Sequence, residues 1–468
     1  MLVGMDTTQM NLINKLKLRC RAMSTGSLDI DDIFIASSAI LLFLPFEWTM
    51  VIASVILVCA ALKGTLAEAV RRQPAAVWLY AFAGMQLFSS LMSSNSMGVL
   101  NSLGTFAVGM LVALFCRVLN SRNLKAALQV TAILSCFAAL AGIGEFVKLA
   151  EQNQADLLFC LKTIPEYVRI RVTYYNPNLY AAMLDFFIAI CVYLFFDTEK
   201  RNSRLLWSGA AVLNLIALFL TGSRMALLPL PFILPLFLFF MHKGKWFWGA
   251  LGTEGGVLAC VLSHPHLIPR FGASASVDAR FEIWENAIHG IRENPLFGGG
   301  PQYYAMIDTG MFSRPAPHAH NLVLDVLLNS GIIGTALLMT YLAKILKYSA
   351  DSRLRKELPL FVPLLLSMLA SVLIVGLADC TINFPATALL MLAVLNVPAY
   401  LYQEDAVALP RPVSSSFALA HSLRTARPVS YVSRTQMNSS SSLGMRSSIS
   451  YSSIPDSSHS SISGHMRR

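Results

Sequence analysis

The sequence has 468 residues, of which 55% are hydrophobic and 13% charged, and a formal net charge of +10. Apolar runs able to cross roughly 30 Å of hydrocarbon recur along it, which excludes a soluble globular chain and predicts an all-α polytopic membrane protein. The positive excess fits loops facing anionic lipid better than nucleic acid, so the lipid bilayer is an expected partner and nucleic acid is not.

In chain order, residues 1–31 form a basic N-terminal segment carrying Lys15, Lys17, Arg19 and Arg21. The first apolar run begins near residue 32 without a small-residue cleavage site behind it, so a retained span is expected rather than a signal peptide. About twelve transmembrane helices are predicted within residues 32–402. They fall near 32–47, 49–63, 76–93, 98–116, 126–147, 179–196, 205–221, 224–241, 246–263, 321–343, 358–378 and 384–402. With the N-terminus inside, Lys63, Arg71, Arg72, Arg117, Arg122, Lys125, Lys200, Arg201, Arg204, Lys243, Lys245, Lys344, Lys347, Arg353, Arg355 and Lys356 all fall on the cytoplasmic side. The short turns on the other side carry only Arg224, and long loops are exempt from the bias. Both termini are therefore expected in the cytoplasm of a multi-pass protein of the cytoplasmic membrane.

Two long extracytoplasmic loops are predicted, at about 148–178 and 264–320. In the second, residues 277–294 (VDARFEIWENAIHGIREN) set Phe281, Trp284, Ile288 and Ile291 at helical spacing. That pattern predicts an amphipathic helix lying on the membrane or capping the bundle. Pro295 stops it, and the glycine run at 298–300 with Pro301 makes the turn that follows. From 403 to 468 the chain is serine-rich and almost free of apolar runs, which predicts a disordered cytoplasmic tail.

The eight cysteines (Cys20, Cys59, Cys116, Cys136, Cys160, Cys191, Cys260 and Cys380) are scattered singly, with neither a metal-ligand spacing nor a disulfide framework. Polar groups able to do chemistry are few, and the orientation above gathers them on the outer side. Arg171 precedes Tyr174, Tyr175 and the Asn176-Pro177-Asn178 helix entry. Arg224 closes Thr221-Gly222-Ser223-Arg224 in a tight turn. Arg280 opens the amphipathic helix, and His318 and His320 end the long loop beside Asn321.

Each feature has a plain structural explanation. A lone arginine at a span end snorkels to headgroups, a histidine at a helix start caps and packs, and Asn-Pro-Asn is a turn signal in its own right. Together they supply what a phosphoanhydride leaving group needs: guanidinium forks for phosphate oxygens and an imidazole that accepts a hydroxyl proton near neutral pH. Asn321 and Asp325, one helical turn apart, are placed to orient His320 or the acceptor. No Walker-type glycine loop occurs, and on the outer side no DxD pair suggests a metal-bound nucleotide sugar, so a membrane-delivered donor used without nucleotide, metal or cofactor is expected.

Four blocks in this order resemble the bacterial O-antigen ligase and O-antigen polymerase superfamily over roughly residues 165–345. They are Arg171 with NPN at 176–178, TGSRMA at 221–226, ARFEIWENAIHGIRENPLFGGGP at 279–301, and HAHNLVLDVLLNSGIIG at 318–334. The resemblance implies an inverting glycan transferase taking an undecaprenyl-pyrophosphate-linked oligosaccharide to a hydroxyl of a glycan, lipid or protein acceptor outside the cytoplasmic membrane. It implies catalytic roles for His320, Arg280 and Arg224, with His320 as general base. Arg171, His318, Asn321 and Asn178 would contact substrate, and His318 leaves the base role open between the two histidines. Ligase and polymerase share these blocks. A transporter or flippase of lipid-linked oligosaccharide is the alternative. It draws on Asp185 inside the sixth span and on Pro229, Pro231 and Pro235 in the eighth, but it does not call for so long an outer loop.

Overall fold

The computed structural model describes residues 38–119, 121–264, 275–307, 316–350 and 358–408. The N-terminal segment, most of the serine-rich tail and two stretches of the long second loop lie outside them. The described residues are helical, with no strand among them. We number the helices α1 (Phe46–Leu62), α2 (Thr65–Arg72), α3 (Ala76–Met92), α4 (Ser96–Arg117), α5 (Ser121–Gln152), α6 (Leu157–Thr163) and α7 (Pro177–Phe196). The series continues with α8 (Arg201–Leu220), α9 (Leu230–Phe240), α10 (Gly244–Ser263), α11 (Ala275–Glu293), α12 (Leu322–Ser349), α13 (Phe361–Gly376) and α14 (Pro385–Ala408).

Five helices, α4, α5, α7, α8 and α12, are long and apolar enough to cross a membrane. A sixth span results if α1 and α2, bent by 97° at their junction, count as one. The protein is a membrane protein on this ground. Of the other expected spans, those near 76–93, 224–241, 358–378 and 384–402 appear as shorter apolar helices. The span expected at 246–263 forms α10, where Glu254 and Gly249, Gly252, Gly255 and Gly256 dilute the apolar run. The described part of the first expected span holds a 3-10 turn, Ala39–Leu42, and the first two residues of α1 behind Pro45. Proline has no N–H to continue a helix, so α1 starts afresh behind it.

α7 is the centre of the bundle: 78% of its apolar stretch is buried, against 33–44% for the other four. It packs on α8, α5 and α13, and its residues from Tyr180 to Leu194 fill the main core. Its start is specified locally. Asn176 caps it by accepting the Asn178 N–H at 2.8 Å, and Pro177 takes the first position, where a missing N–H costs nothing. Polar ties inside the bundle join helices side by side: Asp185 accepts from Ser371 at 2.8 Å, and Asn396 donates to the Tyr341 hydroxyl at 2.8 Å. The loop expected at 148–178 is ordered: α6, a 3-10 turn at Glu166–Val168, and the buried Ile164, Val168 and Ile170.

α11 forms where the sequence predicts a helix, but with a rotated face. Ile283 and Ala287 are the buried residues, packed with Trp284 and Ile291 against Tyr304, Ala319 and Leu328. Phe281 and Ile288, expected on the same stripe, are 59% and 40% exposed. The helix carries apolar groups on two faces, and only packing against α12 selects between them.

The glycine run after α11 is more than a turn. Residues 295–300 insert into a break in α12, where Gly331 leaves helical geometry at φ +60°. The Ile332 and Ile333 N–H groups donate to the Pro295 and Leu296 carbonyls at 2.9 and 3.1 Å, while Gly299 and Gly300 donate to the Leu328 and Asn329 carbonyls at 3.0 and 2.8 Å. A β-carbon on Gly331 would sit 2.3 Å from the Leu296 oxygen, so backbone meets backbone only because the side chain is absent. From the other side Asn95, the cap of α4, donates to the Gly299 and Pro301 carbonyls at 3.1 and 2.9 Å, and Ser89 donates to Phe297. The clamp fixes the end of α11 to three helices, α3, α4 and α12.

Candidate functional site

The site begins at the start of α12. Asn321 caps that helix, accepting the Val323 and Leu324 N–H groups at 3.1 Å each. Its amide also donates to the Leu377 carbonyl at 3.1 Å. His320, just before the cap, has φ +48°, a left-handed conformation uncommon for a residue with a side chain. It is held there from several sides. The Trp284 indole of α11 donates to the His320 carbonyl at 3.2 Å, and the Ala319 N–H donates to buried Asp325 at 3.0 Å. Asp325 also accepts from Asn329 at 2.9 Å and from Asn383 at 2.7 Å, so its carboxylate is well satisfied.

Both histidines face one carboxylate. Asp379 Oδ1 lies 3.3 Å from His320 Nδ1 and 3.5 Å from His318 Nε2, and the two rings stand nearly perpendicular with centroids 4.3 Å apart. The Cys380 N–H donates to the same oxygen at 2.8 Å. The second oxygen, Oδ2, accepts from the Asn178 amide at 2.8 Å. The Asn178 carbonyl oxygen in turn accepts from Arg169 at 2.7 Å, and Arg169 also donates to the Thr221 carbonyl at 2.7 Å and to Glu166 at 2.8 Å. One hydrogen-bonded line therefore runs from Glu166 through Arg169, Asn178 and Asp379 to His320.

Burial pushes the Asp379 carboxyl up, but the hydrogen bond from His320, the charges of both imidazoles and the Cys380 N–H outweigh it and hold it at about 2. Asp379 is thus an anion throughout the working range. The His318 imidazole is held below its usual value, mainly by burial, with His320 adding and Asp325 and Asp379 opposing. Its Nδ1 is buried and makes no hydrogen bond among the described residues.

Beside this cluster is a cavity of about 230 Å³. Arg169, Arg224, Arg280, Asn178, Glu166 and Asp379 line it, together with the Gly222-Ser223 turn. Three guanidiniums around a pocket of this size make a seat for an anion with several oxygens. Asp379 borders both the cavity and the histidines, so an imidazole proton acceptor stands next to an anion site. The same three side chains, His318, His320 and Asp379, bring metal-type donor atoms within 4.8 Å of one another.

The structure brings together Arg224, Arg280 and Asn178 in the cavity, and His318 and His320 on Asp379, which lines it. It does not bring Arg171. Glu145 collects the N–H groups of Arg171 and Val172 at 3.1 and 2.7 Å, the chain turns at Val172 with φ +52°, and the Arg171 side chain is exposed. Arg169, two residues earlier, takes the inward place, its side chain 8% exposed. Asn321 caps a helix rather than lining the cavity. Asp379 was missed, although a signal was present: it is the only acidic residue in 358–402, and it sits where two apolar runs meet.

These placements separate the two arginines by stability. Arg169→Ala removes two part-buried charged hydrogen bonds and should cost about 2–4 kcal/mol, whereas Arg171→Ala should stay within about 0.5 kcal/mol. Thermal melting of both variants in detergent measures the difference, and equal melting points would contradict the inward placement of Arg169.

A family model described as O-antigen ligase matches residues 209–339, which include Arg224, Arg280, His318 and His320 but stop short of Asn178 and Asp379 on either side. No curated protein matches the chain.

Proposed function

Because residues 209–339 place this membrane protein in the O-antigen ligase superfamily, we propose that it joins a polyprenyl-pyrophosphate-linked glycan to an acceptor hydroxyl at the Asp379 cavity. The observation that carries the proposal is the position of Asp379, which receives His320 on one side and lines the arginine cavity on the other.

Each group then has a task. Arg224 and Arg280, with Arg169 behind them, bind the pyrophosphate of the donor and stabilise the negative charge it gains as the glycosidic bond breaks. His320 keeps its Nδ1 proton on Asp379, which leaves the Nε2 lone pair to accept the proton of the attacking hydroxyl. Asp379 fixes that tautomer and stabilises the imidazolium formed, a job that its low pKa allows. Asn178 orients Asp379 by occupying its other oxygen. The acceptor oxygen bonds to the anomeric carbon, the polyprenyl pyrophosphate departs, and a single displacement inverts that carbon. The chemistry requires neither nucleotide nor metal. Undecaprenyl pyrophosphate is the proposed carrier, and a glycan, lipid or protein the acceptor. The positive-inside bias supports both termini in the cytoplasm and the cavity on the outer face of the cytoplasmic membrane. The outward Phe281 and Ile288 of α11 suit the headgroup region there.

The deciding experiment incubates purified protein in liposomes with undecaprenyl-pyrophosphate oligosaccharide and candidate acceptors. New glycosidic product is expected, and its length and point of attachment distinguish polymerase from ligase. Movement of labelled donor across the bilayer without any new bond would instead favour a flippase and end the transferase reading.

A further inference from the structure

The His318–His320–Asp379 cluster has a geometry that hydrogen bonding alone does not require. Zinc binds imidazole and carboxylate donors at about 2.0–2.2 Å, which puts neighbouring donors of a tetrahedral site roughly 3.3–3.5 Å apart. Asp379 Oδ1 already stands 3.3 Å from His320 Nδ1 and 3.5 Å from His318 Nε2. Two of the three donor-donor edges therefore have the length of a zinc site, and all three atoms fall within 4.8 Å. Two imidazoles and a carboxylate are a donor set that zinc accepts, and three protein ligands leave a fourth position for water or a substrate oxygen.

The surroundings suit a metal site as well. Ligands of a bound metal are oriented by partners behind them. Here Asn178 holds the outer oxygen of Asp379 at 2.8 Å, and Asp325 holds the Ala319 N–H between the two histidines at 3.0 Å. The histidine side chains are 21% and 24% exposed, open enough for an ion to enter.

We propose that His318, His320 and Asp379 form a zinc-type metal site whose occupation switches off His320 as a base. The inhibitory half rests on the transferase reading above; the binding half does not. The mechanism is a change of tautomer. In the metal-free site His320 carries its proton on Nδ1, facing Asp379, and offers the Nε2 lone pair. A metal bound at Nδ1 uses the lone pair on that nitrogen, so the single proton of the neutral ring moves to Nε2. No proton is gained or lost, yet Nε2 can then accept none. The metal also takes Asp379 Oδ1 as a ligand, which removes the carboxylate that would stabilise an imidazolium. His318, whose contribution to proton transfer was ambiguous, has a defined task here as the third ligand.

The test uses the purified full-length protein in detergent, freed of metal with a chelator. Titration with Co²⁺ should show one ion per chain, with the visible absorption of a four- or five-coordinate centre, displaced by Zn²⁺. His318→Ala and His318→Gln should both lose that ion, and unchanged melting points would show the variants folded. In the transfer assay, saturating Zn²⁺ should slow the parent protein at least tenfold, and a chelator should restore the rate. Absence of stoichiometric Co²⁺ binding, binding that persists in both His318 variants, or a transfer rate indifferent to Zn²⁺ would each overturn the proposal. Co²⁺ binding by a protein that transfers no glycan even without metal would refute the transferase reading and leave the metal site standing.

Discussion

His320→Ala should lower glycan transfer by about 100- to 10,000-fold, the range that a general base contributes, while the protein still inserts and melts normally. The expectation of normal folding has a structural basis. The contact that ties His320 to α11 is its backbone carbonyl, which accepts from Trp284 and survives the substitution. Alanine keeps the β-carbon, so the cost of φ +48° is little changed. Asp379 keeps the Asn178 amide and the Cys380 N–H, so truncating the imidazole leaves no bare buried carboxylate. Loss of rate with an intact fold is then loss of the proton acceptor. The measurement is initial rate with saturating donor and acceptor, beside a melting curve. Parent-level product from the variant would remove His320 from the mechanism.

Asp379→Asn should be nearly as damaging, about 100-fold or more in kcat, with KM changed little. The amide has the shape of the carboxylate but only one acceptor oxygen. Asp379 takes donors on both oxygens: the Cys380 N–H and His320 on Oδ1, and Asn178 on Oδ2. An asparagine must therefore set its NH₂ against one of them. If it faces the imidazole, His320 takes the opposite tautomer and puts its proton on Nε2. If it faces Asn178, the line to Arg169 breaks and the side chain loses its orientation. In both cases the charge that would stabilise an imidazolium is gone, whereas Arg224 and Arg280 remain to bind the donor. A variant that raises KM with kcat unchanged would show that Asp379 serves binding rather than proton transfer.

Much of the architecture was legible as sequence because it depends on local quantities. Apolar run length marks a helix that can sit in hydrocarbon, and the described chain is helical where such runs occur. The Asn176-Pro177-Asn178 helix entry was legible too, and Asn176 closes the N-terminus of α7 with its own side chain. The amphipathic period of α11 was equally visible, since spacing along one helix is set within that helix. So was the collection of arginines and histidines, because charged groups stand out in a chain that has few.

What the sequence could not decide is which of two similar choices the folded protein makes. Arg169 and Arg171 are chemically alike, and only the carboxylate of Glu145, turning the chain at Arg171 and Val172, sends one inward and the other to the surface. α11 has apolar groups on two faces, and contact with Leu328 and Ala319 decides which is buried. Composition determined that this protein lives in a membrane with a few cationic and imidazole side chains set apart from its apolar spans. Tertiary structure alone brought Asn178 and His320 onto the carboxylate of Asp379, since hydrogen bonds between residues far apart in the chain are selected by packing and leave no periodic trace in the sequence.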